Sequence, residues 1–144
     1  MDEIAVEIVS TSTLELAHSI RSLIGQLTES GDSISEEQLR EIIASPATKL
    51  FIARINGSIV GMLTLASYRI PTAIRSFIED VVVDEKCRGR GIAEALTRAA
   101  LERAHSAGAT GVDLTSQASR EAANRLYQRL GFQRRDTNVY RFHF

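Results

Sequence analysis

Val81-Val82-Val83-Asp84-Glu85-Lys86-Cys87-Arg88-Gly89-Arg90-Gly91-Ile92-Ala93 decides how this chain folds. It begins as the end of a β-branched run, Phe77–Val83, which reads as a strand. It then passes through a turn with two glycines and opens a helix expected over Ile92–His105, with Ile92, Leu96, Ala99, Ala100 and Ala104 on one side. A strand that feeds a helix through such a turn presents the first helical N–H groups and the positive dipole end to whatever lies above it, which suits an anion. Gly89 and Gly91 allow close backbone approach and turn conformations closed to other residues, and Arg88 and Arg90 add positive charge.

Upstream, Ile4–Val9 alternates as a short strand. Thr11, Ser12 and Thr13 can cap a helix carrying Leu14, Ala17, Ile20, Leu23, Ile24 and Leu27 at helical spacing. Ser35 and Gln38 have the spacing of a capping box for a second short helix through Leu39, Ile42 and Ile43. Asn56-Gly57 between Leu50–Ile55 and Ile59–Ala66 signals a hairpin, because both residues tolerate positive φ. Ile70–Arg75 is expected to be a loop around Pro71. Downstream come a strand at Val112–Thr115, a helix at Ser119–Leu130 closed by Gly131, and a final strand or hairpin in Phe132–Phe144 with Val139, Phe142 and Phe144 as core contacts. A meander followed by β-α-β-α-β predicts an α+β chain: an α/β three-layer sandwich with a mixed, mostly antiparallel central sheet flanked by helices. The strands Phe77–Val83 and Val112–Thr115 should be parallel.

The 144 residues fit one domain, 1–144, with no repeat and no long linker. A single cysteine, Cys87, excludes an internal disulfide framework and a Cys-cluster zinc site, and His18, His105 and His143 are too scattered for metal-ligand spacing. No apolar run reaches the roughly 18 residues of a membrane span, and the acidic start Met1-Asp2-Glu3 is unlike a signal peptide, so a cytoplasmic location is expected. Charge is divided unevenly. Residues 1–85 hold 6 Lys/Arg against 13 Asp/Glu, and residues 86–144 hold 11 against 5. A basic half that meets an anion and a merely solvated surface both fit that division.

The glycine turn lacks the dinucleotide pattern G-x-G-x-x-G, because Glu94 stands where a small residue is needed, and it lacks the P-loop pattern. What remains is R-x-x-G-x-A at Arg88, Gly91 and Ala93, which resembles the pyrophosphate signature of the GNAT superfamily of acyl-CoA-dependent N-acyltransferases. Ala122-Ala123-Asn124-Arg125-Leu126-Tyr127-Gln128-Arg129-Leu130-Gly131-Phe132 is similar to that family's second recurrent element, a helix bearing Asn and Leu-Tyr closed by Gly-Phe. The resemblance covers residues 50–133 and is weak over 1–49, where such proteins shape the acceptor pocket. It implies an acyl-CoA N-acyltransferase-like fold and acetyl-CoA as acetyl donor, with no metal. Val81, Val82 and Val83 would face the pantetheine arm. Arg88, Gly89, Arg90, Gly91, Ile92, Ala93 and Glu94 would form the pyrophosphate loop, Asn124 would bond the cofactor, and Tyr127 would protonate the leaving thiolate. Many members place an asparagine seven residues before the tyrosine; here that position is Arg120, which could reach a CoA phosphate or simply be solvated.

Acyl transfer to an amine needs a base, because a free alkylamine with a pKa near about 10.4 is protonated at neutral pH. Glu79 and Asp80 are the nearest acidic candidates; adjacent strand residues face opposite sides unless a bulge intervenes, and Glu79 is the preferred base. Cys87 has no part in direct transfer. The expected partners are acetyl-CoA and an amine acceptor that residues 1–49 do not identify, with no nucleic acid and no membrane, and a homodimer left open. A non-catalytic acyl-CoA sensor or regulatory domain is the alternative reading.

Overall fold

The computed structural model describes residues 2–144. In chain order they form β1 (Ile4–Ile8), α1 (Leu14–Leu27), α2 (Glu36–Ala44), β2 (Thr48–Ile55), β3 (Ser58–Ile70) and β4 (Ala73–Val83). A 3-10 turn (Glu85–Cys87), α3 (Ile92–Ser106), β5 (Val112–Asp113) and α4 (Glu121–Arg129) follow. They group into two compact units, one ending at Leu114 and one spanning Thr115–Phe144. Among the described residues, no helix is long and apolar enough to cross a membrane.

In the first unit the sheet order is β1-β2-β3-β4-β5, with β1 to β4 antiparallel and β4 parallel to β5. Local chemistry sets the element ends. Thr13 Oγ1 accepts from Leu16 N at 3.1 Å to start α1, and the Ser35–Gln38 capping box starts α2. Asn56 at φ 50° and Gly57 at φ 82° close the β2–β3 hairpin, whose right-handed twist requires positive φ in a two-residue turn. Beside that turn, Arg54 donates from Nε to Glu7 at 3.0 Å and from Nη1 to Glu15 at 2.6 Å and to Gly57 O at 2.7 Å. One side chain thus ties β2 to β1, α1 and the hairpin. Its hydrogen bonds, to Glu15 first and then Glu7, hold the guanidinium above its ordinary pKa.

The sheet buries both faces. Leu50, Ile52, Met62 and Val82 pack against Leu16, Ala17, Ile20 and Leu23 of α1 and Leu39 of α2. On the other face α3 lies over Gly61. A Cβ there would sit 3.0 Å from Ile92 Cγ2, 3.1 Å from Leu96 Cδ1 and 3.3 Å from Val82 O. Ile92, Leu96, Thr97, Ala100 and Ala104 form the buried stripe of α3, and Thr97 satisfies its hydroxyl on Ala93 O at 2.7 Å. The result is the expected α+β three-layer sandwich: α1 and α2, a mixed sheet, and α3.

Two expectations are corrected. The segment 70–75 is not a loop. β3 runs to Ile70 and β4 begins at Ala73, leaving Pro71-Thr72 as the turn; Ser67 and Ser76 share a hydroxyl hydrogen bond of 2.7 Å, and Tyr68 stacks on Phe77 across the extended ladder. Pro71 fits because a turn position needs no ladder N–H. Residues 132–144 form no strand, and Val139, Phe142 and Phe144 are exposed rather than core, Val139 at 77% and Phe142 at 82%. Alternating apolar residues mark a face that could pack, but a strand also needs a neighbour for its N–H and C=O groups. None pairs with this segment among the described residues.

Replacing Gly61 with valine should destabilise the protein by about 1–3 kcal/mol through overpacking against Ile92 and Leu96. Urea denaturation checks this, and an unchanged midpoint would contradict the close docking of α3.

Candidate active site

β4 is interrupted by a bulge. Glu79 lies opposite Thr64 and Val82 opposite Met62, so two β4 residues, Asp80 and Val81, stand against Leu63 alone. Asp80 takes φ 50°, in the left-handed region. The bulge reverses which side chains face which layer. Ile78 lies opposite Leu65, whereas Val82 lies opposite Met62, in the layer of α1 and α2. Four residues apart on an unbroken strand, those two side chains would share a face. The extra residue therefore puts Glu79, across from Thr64, on the same face as Val82. The side chains of Glu79 and Asp80 are both exposed and have no hydrogen-bond or ion-pair partner among the described residues. Strand parity alone thus does not choose between them. Val82 is buried, and Val81 and Val83 are half-buried.

The end of β4 is held on β3 by Asp84 N donating to Val60 O at 2.8 Å. Asp84 then caps the 3-10 turn, accepting from Lys86 N at 3.1 Å, while Gln26 at the end of α1 accepts from Glu85 N at 2.9 Å. Arg88 folds back, its Nε donating to Val83 O at 3.3 Å. Gly89 at φ 79° and Gly91 at φ 83° make the turn into α3, and both conformations are strained for residues with a Cβ. The first helical bond is Ala95 N to Gly91 O, and Gly91 offers no side-chain cap. The amides of Arg88, Gly89, Arg90, Gly91, Ile92 and Ala93 consequently have no acceptor among the described residues. A Cβ at either glycine would meet open space, so a ligand can approach the backbone. Unpaired N–H groups at a helix start, with Arg90 exposed beside them, fit a pyrophosphate. Glu94 in the first turn would oppose an anion, but it pairs with Arg98 at 3.7 Å.

In the second unit, α4 carries a half-buried stripe of Ala123, Asn124, Leu126, Tyr127 and Leu130. Its end explains the Leu-Tyr to Gly-Phe spacing. Gly131, at φ 101°, donates to Gln128 O at 3.1 Å, and Phe132 N donates to Tyr127 O at 3.0 Å. This left-handed cap brings the Phe132 ring edge-on to Tyr127, with centroids 5.6 Å apart. Phe132 therefore fixes the tyrosine ring, a role the sequence reading did not assign. Burial raises the Tyr127 pKa above its ordinary 10.0, with Arg120 acting in the opposite direction. The phenol stays protonated, and so a donor, throughout the neutral range. The Asn124 amide nitrogen donates to both Gln117 O and Arg120 O at 2.9 Å, clamping the loop into α4. Its side-chain donor is thus spent on backbone, and only its oxygen remains for a ligand. Ser116 Oγ, in the same loop, is buried without a hydrogen-bond partner among the described residues.

A family model described as the acetyltransferase (GNAT) family matches residues 17–132. The chain is 32% identical over 94 residues to N-alpha-acetyltransferase 30 of Schizosaccharomyces pombe, covering 65% of this chain and 62% of that protein. It is 32% identical over 88 residues to N-acetylaspartate synthetase of Rattus norvegicus, covering 61% of this chain and 29% of that protein. The match therefore spans less than two-thirds of either relative. Among solved structures, a putative acetyltransferase from Agrobacterium tumefaciens str. C58 superposes with a TM-score of 0.84 at 24% identity, covering 96% of this chain and 99% of that one, which is a likeness of fold. With a match that runs from α1 through the Gly131-Phe132 cap, the chain belongs to the acetyltransferase (GNAT) family.

Proposed function

We propose that the protein is an N-acetyltransferase that moves an acetyl group from acetyl-CoA to a primary amine by direct attack in a ternary complex, with residues 1–144 serving as one catalytic domain. The observation that carries this reading is the run of amides from Arg88 to Ala93, at the uncapped start of α3, that find no acceptor among the described residues. A pyrophosphate supplies the acceptors those donors lack, and acetyl-CoA is the donor typical of the family. The names of both curated relatives place the acetyl group on an amino nitrogen, so α-amino compounds are the first acceptors to test.

In this reading Val81, Val82 and Val83 offer strand backbone to the pantetheine arm, and an N–H near the bulge polarises the thioester carbonyl. Such contacts to developing negative charge commonly contribute a few kcal/mol. Glu79, with Asp80 as the other candidate, takes the proton that the attacking ammonium must lose, directly or through water. The amine nitrogen bonds to the carbonyl carbon, the carbon–sulfur bond breaks, and the nitrogen releases its remaining surplus proton to solvent, from which Tyr127 is afterwards reprotonated. Tyr127 gives its proton to the departing thiolate. Asn124 contributes through its side-chain oxygen, because its nitrogen is engaged with Gln117 O and Arg120 O.

Gly91→Glu should abolish acetyl-CoA binding by calorimetry, since it puts a carboxylate and a strained φ at the anion loop; unchanged affinity would remove the loop from the site. Tyr127→Phe keeps the ring on Phe132 and removes only the donor. General acid catalysis is typically worth about 10²–10⁴-fold, so the variant should lower kcat by at least about tenfold, with acetyl-CoA affinity little changed. If Tyr127 were purely structural, the variant would instead lose about 1 kcal/mol of stability and turn over normally. Cys87→Ser should leave thiol release from acetyl-CoA nearly intact with each of a set of α-amino compounds offered as acceptor. An acetylated Cys87 during turnover, with an inactive serine variant, would contradict direct transfer.

A further inference from the structure

The connection from β4 to α3 is held mostly by itself. Asp84 Oδ1 accepts from Lys86 N at 3.1 Å, Asp84 O from Cys87 N at 2.8 Å, and Val83 O from Arg88 Nε at 3.3 Å. Among the described residues, two hydrogen bonds tie it to other elements. Asp84 N donates to Val60 O at 2.8 Å where the connection leaves the sheet. Glu85 N donates to Gln26 Oε1 at 2.9 Å, a contact across 59 positions of sequence. Beyond Glu85 no bond from another element reaches the chain before Ala95 N closes the first turn of α3 on Gly91 O at 3.0 Å.

Gln26 is well placed to be a fixed point. It is half-buried in the last turn of α1, between Leu23, which is 3% exposed, and Leu27, which packs against the same core. A helix end anchored in a close-packed core does not slide freely. The residue type suits the contact rather than the helix. A cation would be favoured in the last turn by the dipole, and α1 has none there, but lysine and arginine carry no acceptor for the Glu85 N–H. A glutamine offers its side-chain oxygen without adding a charge beside an anion site. The stretch that it tethers has freedom to lose. Gly89 and Gly91 lie in open space, and glycine has the widest backbone range of any residue. What directs the amides between them is the Glu85 tether on one side and the burial of Ile92, at 2% exposed, on the other.

We propose that Gln26 is a positioning residue for the donor's pyrophosphate: by accepting from Glu85 N it pins the β4–α3 connection to α1 and fixes the direction in which the amides of Arg88 to Ala93 point. The proposal rests on reading those amides as the pyrophosphate site. Gln26 acts through the backbone of the turn and has no part in the chemical step. A turn held in its binding arrangement before the ligand arrives spends less of the binding energy on ordering. Without the tether the competent arrangement is a smaller fraction of the population, and the apparent affinity falls by that fraction. One hydrogen bond of ordinary strength corresponds to about threefold to tenfold. The pyrophosphate is remote from the thioester and is held alike in the ground state and the transition state. The loss therefore falls on KM for acetyl-CoA and leaves kcat unchanged.

Gln26→Met puts a methyl group where the amide oxygen stood and keeps the length of the side chain, whereas Gln26→Glu keeps an oxygen at the same reach. In nitrogen-15-labelled protein the Glu85 amide should exchange slowly with solvent in the wild type and in Gln26→Glu, and faster in Gln26→Met. By calorimetry, Gln26→Met should bind CoA about threefold to tenfold more weakly than the wild type. With a competent amine its KM for acetyl-CoA should rise by the same factor at unchanged kcat. S-acetylpantetheine, which carries the thioester but no pyrophosphate, should be used equally well by both proteins. A general loss of structure would depress both donors alike, and that result overturns the proposal. So does equal CoA affinity in the two proteins, or a Glu85 amide that exchanges alike in all three. Absence of CoA binding by the wild-type protein overturns the pyrophosphate reading itself, a result distinct from equal binding by wild type and variant.

Discussion

The bare patch at Gly61 sets the position of everything that reads as chemistry in the first unit. Because β3 has no side chain there, α3 lies close enough for Ile92 and Leu96 to reach the sheet backbone, and Ile92, its first helical residue, is buried. The other end of the connection is equally fixed, since Asp84 N is bonded to Val60 O, the residue beside Gly61. Between these two anchors the chain reverses through Gly89 and Gly91 in left-handed conformations. A turn so constrained cannot also supply a capping side chain, so among the described residues the amides from Arg88 to Ala93 are left without acceptors. Exposed donors at a helix start are free to bind water or an anionic ligand, and the family to which the chain belongs typically uses acetyl-CoA, a donor that carries a pyrophosphate.

The second constraint is the bulge in β4. It transfers the end of the strand from one facing pattern to the other, placing Glu79 and Val82 on one face and leaving Asp80 in a conformation rare for a residue with a Cβ. Backbone strain of this kind persists where surrounding structure enforces it, and here the β3 ladder on both sides does so. The arrangement gives a strand end of buried Val82 and half-buried Val81 and Val83 beside two exposed carboxylates.

The fold was legible because local and long-range signals agreed. Asn56-Gly57, the Ser35–Gln38 box, the Thr13 cap and the helical stripes each act within a few residues, and the structure has them where the sequence places them. The bulge was not legible. Ile78-Glu79-Asp80-Val81 reads as ordinary alternation, and the extra residue is defined only against Leu63 on the neighbouring strand. The role of Gly61 is likewise defined only by α3, which packs over it through Ile92 and Leu96. The segment 70–75 misled because proline suggests a loop, whereas here it occupies a tight turn between long strands. Phe132–Phe144 misled in the opposite sense, since its alternation promised a strand for which the described chain holds no partner. At the candidate site, the glycine turn was readable from residue type alone. Asn124 was not: the family resemblance implied a cofactor contact, while its nitrogen is used to clamp the Gln117 and Arg120 carbonyls.

That the unpaired loop amides hold the pyrophosphate is tested most directly by following backbone amide resonances of nitrogen-15-labelled protein during titration with CoA. Saturable shifts concentrated at Gly89, Arg90, Gly91, Ile92 and Ala93 are the predicted result, with the same amides becoming slower to exchange with solvent. Shifts confined to other segments while these amides keep their free positions would contradict it.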